Sequence, residues 1–142
     1  MRPSINEVIG GKYRIVRLIG DGGMGIVYEA RHEVLGSAVA LKFLHAELAR
    51  RPGLAQRFLQ EARVSASIQS PHVTRVTDVD QTPDGSPYLV MELLGGEPLQ
   101  QLLDREIKLD RDRALDFALQ ILAGLEAAHA LGVVHRDLKP DN

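Results

Sequence analysis

Three kinds of chemistry lie close together in the last eight residues of the chain, His135-Arg136-Asp137-Leu138-Lys139-Pro140-Asp141-Asn142. Asp137 carries a carboxylate that can orient or deprotonate a hydroxyl group, and Lys139 adds a positive charge two residues further on. Asn142 offers an amide oxygen, a hard ligand that suits Mg²⁺. Pro140 fixes its own φ and has no amide hydrogen, so we expect a shaped loop here and not a helix.

Composition and charge exclude several classes of protein. The chain has 142 residues, 44% of them hydrophobic and 25% charged, which is ordinary for one globular domain. The net charge of −2 argues against nucleic acid or an anionic membrane surface as the main partner. There is no cysteine, and therefore no disulfide framework and no thiolate metal site. No apolar run reaches the ~18 residues of a membrane span or forms a signal peptide, so we expect a cytoplasmic location, with a span downstream of this chain left open.

The first part of the sequence reads mainly as β-structure. Alternating apolar residues, bounded by glycine, proline and Asp-Gly turns, predict strands, and a three- and four-residue apolar period predicts one helix. The predicted strands cover residues 12–20, 26–31, 37–44, 74–81 and 86–94, and the helix covers 54–68. This favours a mostly antiparallel sheet with one helix.

The composition becomes helical after Gly95-Gly96. A short helix is predicted over residues 98–104. A longer one begins after a cap at Asp110 or Asp112, runs to about Leu131, and ends at Gly132. We therefore divide the chain into a β-rich region, 1–94, and an α-helical region, 95–142.

The long helix, residues 112–131, is apolar around more of its surface than a small domain needs. At 100° per residue its large apolar side chains cover an arc of roughly 200°, whereas a surface helix usually shows a stripe a little over about 100° wide. These side chains belong to Leu115, Phe117, Leu119, Ile121, Leu122 and Leu125. We expect this helix to meet partner helices from a longer natural chain or from another molecule. The alternative is a generously hydrophobic helix on a small domain.

A glycine cluster, Gly20-x-Gly22-x-x-Gly25-x-Val27, lies between the first two predicted strands. Glycines let backbone N–H groups approach phosphate oxygens without a Cβ in the way. A dinucleotide-binding loop would open into a helix, and a P-loop would end in Gly-Lys-Ser/Thr; neither follows Gly25. Taken alone, the cluster is equally well explained as a flexible hairpin tip.

Lys42, in Val39-Ala40-Leu41-Lys42, lies seventeen residues after Gly25 on the third predicted strand. Glu61, nineteen residues further on, is on the predicted helix and is our candidate for its ion-pair partner. Glu47 is the alternative, although it lies in the break before that helix. Read alone, a lysine at a strand end is usually a solvated charge.

Three of these segments together resemble the protein kinase family: the catalytic loop H-R-D-x-x-x-x-N, the glycine-rich loop G-x-G-x-x-G-x-V, and V-A-I-K with leucine for isoleucine. The resemblance runs from about Tyr13 to Asn142. It implies an α+β fold, with a five-stranded antiparallel N-terminal lobe carrying one helix and the first helices of a truncated C-terminal lobe. It also implies ATP and Mg²⁺ as cofactors and a protein with a Ser/Thr hydroxyl as substrate.

The resemblance also assigns roles to individual residues. Asp137, Lys139, Lys42 and Glu61 would be catalytic, and Asn142 would hold the metal. Glu97 would reach the ribose. The nucleotide would be held by Ile19, Gly20, Gly22, Gly23, Gly25, Val27, Ala40, Lys42, Met91, Glu92 and Leu94, with Met91 at the back of the adenine pocket.

The last residues of the sequence indicate the subclass of kinase. The main departure from the family is a missing motif. Lys139 two residues after Asp137 is typical of serine/threonine kinases, and Leu-Lys-Pro-Asp-Asn is similar to the bacterial eukaryotic-like members. The family's D-F-G aspartate, its second metal ligand, is not in this sequence. We therefore expect either an incomplete catalytic domain of a kinase or, alternatively, a catalytically inactive module that binds nucleotide or a partner protein.

Overall fold

The structure, a computed structural model, describes residues 2–23 and 25–141. Within these residues, six strands and four helices follow one another in the order ββββααββαα. They are β1 (Val8–Ile9), β2 (Tyr13–Asp21), β3 (Gly25–His32), β4 (Ala38–Leu44), α1 (Ala46–Ala49), α2 (Leu54–Ser67), β5 (Val76–Gln81), β6 (Pro87–Glu92), α3 (Leu99–Glu106) and α4 (Arg111–His129). Every predicted strand and helix is present with boundaries within about two residues, and the predicted α+β class is confirmed.

One antiparallel sheet contains all six strands, in the order β1-β2-β3-β4-β6-β5. The prediction of five strands and one helix in this region omitted β1 and α1. These elements have two and four residues, too few for an apolar period to show in the sequence. β1 exists because it pairs with β2, with Val8 opposite Arg14.

One face of the sheet carries the larger core. Tyr13 and Ile15 alternate with exposed residues along β2, and both are buried. Two aromatic contacts centre on Phe43, which meets Tyr28 edge-on at 5.9 Å between ring centroids and stacks with Tyr88 at 5.3 Å. Burial, with Asp80 beside its hydroxyl, raises the pKa of Tyr88. The cluster comprises Ile9, Tyr13, Ile15, Ile26, Tyr28, Ala30, Leu41, Phe43, Tyr88 and Val90.

Helix α2 forms a second, smaller core. Its buried residues, Phe58 and Ala62, are four apart and therefore lie on one side of the helix. They cluster with Leu44 and Leu89 of the sheet. Since alternate residues of a strand point to opposite faces, Leu44 packs on the face opposite to that of Phe43.

The chain divides into two compact units. The first contains residues up to Ser67 together with Arg75–Leu93, and the second contains Ile68–Thr74 and the residues from Leu94 onward. The sequence placed its boundary near residue 94 and did not group the segment 68–74 with the helices. In the second unit the His72 carbonyl oxygen lies 2.8 Å from where a Cβ on Gly124 would be. A side chain at position 124 would therefore prevent this close approach.

Helix α4 begins at Asp110, whose side chain accepts hydrogen bonds from the amides of Asp112 and Arg113. Only Gly124 and Ala128 of this helix are buried. Leu115, Leu119 and Leu122 are 51%, 66% and 59% exposed. The described chain therefore leaves most of the large apolar side chains of α4 exposed, while Phe117 and Leu125 are half-buried. That partner helices cover them remains a prediction.

Candidate active site

The second face of the sheet brings four predicted nucleotide-binding residues into register. Lys42 pairs with Val27 on β3 and with Leu89 on β6, while Ala40 pairs with Met91. Directly opposed residues in antiparallel strands point to the same face. Val27, Ala40, Lys42 and Met91 therefore share one face.

The burial of these side chains gives that face its chemistry. Ala40 is 6% exposed, and Val27, Lys42 and Met91 are half-buried. A surface that is small and apolar with one partly covered cation suits a flat heteroaromatic group joined to an anion. Gly20 pairs with Val27 and extends the same region toward the glycine loop.

The predicted ion pair between Lys42 and Glu61 is not formed. Within the described residues no carboxylate lies within 4.0 Å of the Lys42 ammonium, and Glu61 is exposed on α2. The physical reason lies in how α2 packs, because Glu61 is about 80° around the helix from the midpoint of Phe58 and Ala62. The helix would have to rotate or shift to bring Glu61 inward, so the catalytic role of Glu61 stays a prediction.

The glycines of the loop differ in how closely neighbouring atoms approach them. A Cβ on Gly25 would lie 2.1 Å from the backbone oxygen of Phe43, so Gly25 is required by the close packing of β3 on β4. Gly20, Gly22 and Gly23 are open, and a Cβ added to any of them would have no neighbouring atom nearer than 4.0 Å. Packing therefore explains why position 25 is glycine, but it does not explain the glycines at positions 20, 22 and 23. Ile19, just before them, is 44% exposed.

The tip of this loop is held by contacts that the sequence analysis missed. The Gly22 amide donates to the Gly25 oxygen at 3.0 Å. The Gly22 carbonyl lies 2.7 Å from His45 Nε2, which is also 3.4 Å from Asp21 Oδ1. Arg2 forms an ion pair with the other Asp21 oxygen. Only the short separation of His45 from Lys42 in sequence hinted at a role.

The end of β6 carries Glu92, one of the residues that the resemblance assigns to nucleotide binding. Its amide donates to the Arg75 carbonyl at 3.0 Å, and its carboxylate accepts from the Arg75 amide at 2.6 Å. Because the amide is engaged, any contact of Glu92 with an adenine ring would use its carbonyl oxygen. Leu94 belongs to the second unit and is 63% exposed.

The second unit contains the candidate catalytic loop. Lys139 Nζ lies 3.2 Å from Asp137 Oδ2, and the Asp137 amide donates to His135 Nδ1 at 3.3 Å. Arg136 between them has φ of 63°, a left-handed conformation that costs an ordinary residue free energy. The Pro140 carbonyl accepts a hydrogen bond from the Gln100 amide of α3 at 3.0 Å. The loop thus brings Asp137 and Lys139 together, and their catalytic roles stay predictions.

Of two further predicted site residues, the structure describes Glu97 but not Asn142. Glu97 forms paired hydrogen bonds of 2.6 and 2.7 Å with Arg105, which hold the pKa of the Glu97 carboxyl below its usual value. Asn142, the predicted metal ligand, lies outside the described residues. Among those described, no group of three or more His, Asp or Glu side chains is arranged to hold a metal ion. The same residues contain no helix long and apolar enough to cross a membrane.

Comparison with known proteins agrees with the resemblance seen in the sequence. The protein kinase domain family matches residues 13–142. The serine/threonine-protein kinase PknA of Mycobacterium tuberculosis is 42% identical over an alignment of 146 positions that covers 100% of this chain and 34% of PknA. The serine/threonine-protein kinase Pkn1 of Myxococcus xanthus is 46% identical over 132 residues, covering 93% of this chain and 19% of Pkn1.

The solved structures that match are also longer than this chain. The kinase domain of Mycobacterium tuberculosis PknI superimposes with a TM-score of 0.82 at 29% identity, over 100% of this chain and 58% of that domain. The chain therefore spans about a third or less of these curated relatives and under two thirds of the solved domain. Its motifs, its sheet and these matches show that the chain belongs to the protein kinase family.

Proposed function

We propose that this chain carries the ATP-binding and catalytic-loop segments of a serine/threonine protein kinase. The observation that carries the proposal is the register of the sheet, which lines Val27, Ala40, Lys42 and Met91 along one face. The adenine ring would lie on the apolar part of this face. The phosphates would meet the Lys42 ammonium and the amides of the glycine loop, in particular that of Gly23.

In the proposed reaction a serine or threonine hydroxyl attacks the γ-phosphorus of ATP. The bond from that phosphorus to the β–γ bridging oxygen breaks, and ADP leaves. Asp137 would orient the hydroxyl and accept its proton. Lys139, already 3.2 Å from Asp137, would offset the negative charge that develops on the transferred group.

Mg²⁺ would neutralise phosphate charge in such a reaction, but the described residues do not form a site for it. Asn142 supplies one amide oxygen, and the D-F-G aspartate of the family is not in this sequence. We therefore assign no step to a metal. The residues after Asn142 in a longer chain would have to complete the site.

A second function is supported by two observations: no described carboxylate pairs with Lys42, and four large apolar side chains of α4 are exposed. The 142-residue chain would then bind nucleotide without transferring phosphate, or bind another protein through α4. The two candidates differ in one measurable property, phosphate transfer, so one experiment separates them.

The test compares Lys42→Met and Asp137→Asn in this chain and in a version extended by its natural downstream sequence. Calorimetric titration with Mg-ATP should show that Lys42→Met weakens binding at least about tenfold, because a charge-assisted contact to phosphate is worth about 1.5–3 kcal/mol. Asp137→Asn should bind ATP normally. In the extended chain both variants should abolish transfer of radiolabelled phosphate to a basic protein.

The matched control is Lys12→Met, which removes an exposed lysine of the first unit and should change neither measurement. Full transfer by the extended Asp137→Asn variant would refute the role of Asp137. An extended wild-type chain that binds ATP and transfers nothing would favour the second function.

A further inference from the structure

We propose that His45 is a positioning residue for the glycine loop, which holds the carbonyl of Gly22 so that the Gly23 amide faces the phosphates of a bound nucleotide. The proposal rests on the proposed function for its ligand. It starts from the 2.7 Å contact between His45 Nε2 and the Gly22 oxygen. With a hydrogen on Nε2, the imidazole donates this bond.

The peptide between Gly22 and Gly23 needs such a contact to have a fixed direction. Both residues are exposed, and a side chain at Gly23 would meet nothing within 4 Å. Glycine occupies more of φ/ψ space than any other residue, so a peptide plane between two glycines turns easily. Of the two Gly22 backbone groups, the amide is held by Gly25 and the carbonyl by His45.

The geometry of one peptide group links His45 to the phosphate site. In a planar trans peptide the carbonyl oxygen and the following amide hydrogen point in opposite directions. When the His45 ring donates a hydrogen bond to the Gly22 carbonyl, the Gly23 N–H must therefore point away from His45. Releasing the carbonyl would let the plane flip and present an oxygen, which repels phosphate, in place of a donor.

The register of the sheet indicates which way that amide points. Lys42 lies on the face that carries Val27, and Phe43 lies on the opposite one. Asp21 is opposite Ile26, which is opposite Phe43, so the Asp21 side chain is on the Phe43 face. His45 Nε2, 3.4 Å from Asp21 Oδ1, therefore lies on the Phe43 side, and the Gly23 amide, directed away from it, falls on the side of Lys42.

Asp21 and Arg2 form a second set of contacts at the tip of the loop. Asp21 is 3.4 Å from His45 through one oxygen and forms an ion pair with Arg2 through the other. Because the Gly22 oxygen and the Asp21 carboxylate are both acceptors beside Nε2, they favour the tautomer that carries its hydrogen on Nε2. The tip is thus fixed at two neighbouring residues, Asp21 and Gly22.

The first test needs no nucleotide. In the 142-residue chain, His45→Leu should speed hydrogen–deuterium exchange of the loop amides of residues 20–25 at least about fivefold, because the loop tip loses its anchor. His45→Gln, whose amide can donate to the same carbonyl, should restore much of the protection. His129→Leu, at an exposed histidine of α4, is the matched control. Unchanged exchange in His45→Leu would overturn the proposal.

The second test compares two ligands by calorimetry. His45→Leu should weaken Mg-ATP binding about tenfold and leave adenosine, which has no phosphate, within about twofold of wild type. His45→Gln should recover most of the ATP affinity. An equal loss for both ligands would show a merely structural role and refute the proposal. If the wild-type chain binds neither ligand, the proposed function fails in this chain, while the exchange experiment still tests the His45 contact.

Discussion

The two units of this chain differ in how they treat their apolar residues. The sheet of the first unit buries a ten-residue cluster on one face and packs α2 against the other. In the second unit the longest helix buries only a glycine and an alanine and leaves three of its four leucines exposed. The stability of the first unit therefore comes from its own packing, whereas the apolar face of α4 contributes little in this chain. The comparison suggests three experiments.

The largest difference should come from removing one leucine in each unit. Leu41→Ala deletes a side chain that is 0% exposed, and we expect it to lower the free energy of unfolding by about 3 kcal/mol. Leu119→Ala deletes one that is 66% exposed and should change it by less than about 0.5 kcal/mol. Urea denaturation followed by tyrosine fluorescence measures the effect of Leu41→Ala, because all three tyrosines, Tyr13, Tyr28 and Tyr88, lie in the first unit. Hydrogen exchange of α4 measures the effect of Leu119→Ala in the second unit. A loss of protection in α4 on Leu119→Ala would mean that its leucines are covered in solution.

A smaller effect is expected in the glycine loop, where one glycine is required for packing and another is proposed to contact phosphate. Gly25→Ala places a Cβ against the Phe43 carbonyl, so β3 and β4 must move apart, and we expect a loss of about 2 kcal/mol. Gly23→Ala meets nothing and should leave the free energy of unfolding nearly unchanged. The same denaturation experiment applies. Equal stability of the two variants would show that the contact of Gly25 with β4 is not required.

The smallest effect concerns pH and the second unit. Arg105 lowers the pKa of Glu97, so the ion pair stabilises the fold above the ordinary glutamate pKa of about 4.3. That contribution is lost as pH falls through the lowered pKa of the folded state. NMR titration of the Glu97 carboxyl should show a midpoint below about 4.3 that returns toward it in Arg105→Gln. A midpoint that is the same in both proteins would show that the pair does not form in solution.

Much of the fold follows from local patterns in the sequence. The alternation over Tyr13–Asp21 and the apolar period over Leu54–Ser67 predict their strand and helix, because the side chain spacing of each element is a local property. Asp110 was one of two predicted caps, and its side chain is the one that accepts the first amides of α4. β1 and α1 were missed because elements of two and four residues are stabilised by neighbours distant in sequence.

Only part of the candidate site could be predicted from local patterns in the sequence. Lys42 and the glycine loop stood out through their spacing and their resemblance to kinases. His45 did not stand out, because its role depends on the hairpin tip folding back to the end of β4. Likewise, no pattern in the sequence indicated that Gly25 is needed for packing or that Arg105 engages Glu97.

Residue identities and their spacing were sufficient to recognise the family, the order of the longer strands and helices, and the types of side chain available for phosphate chemistry. These depend on residue identity and on spacings of a few positions along the chain. The tertiary structure alone decided that Val27, Ala40, Lys42 and Met91 share a face. It also decided that Lys42 and Glu61 are apart and that His45 holds the Gly22 carbonyl. Register and helix rotation are set by packing between segments far apart in sequence, and short-range patterns do not encode them.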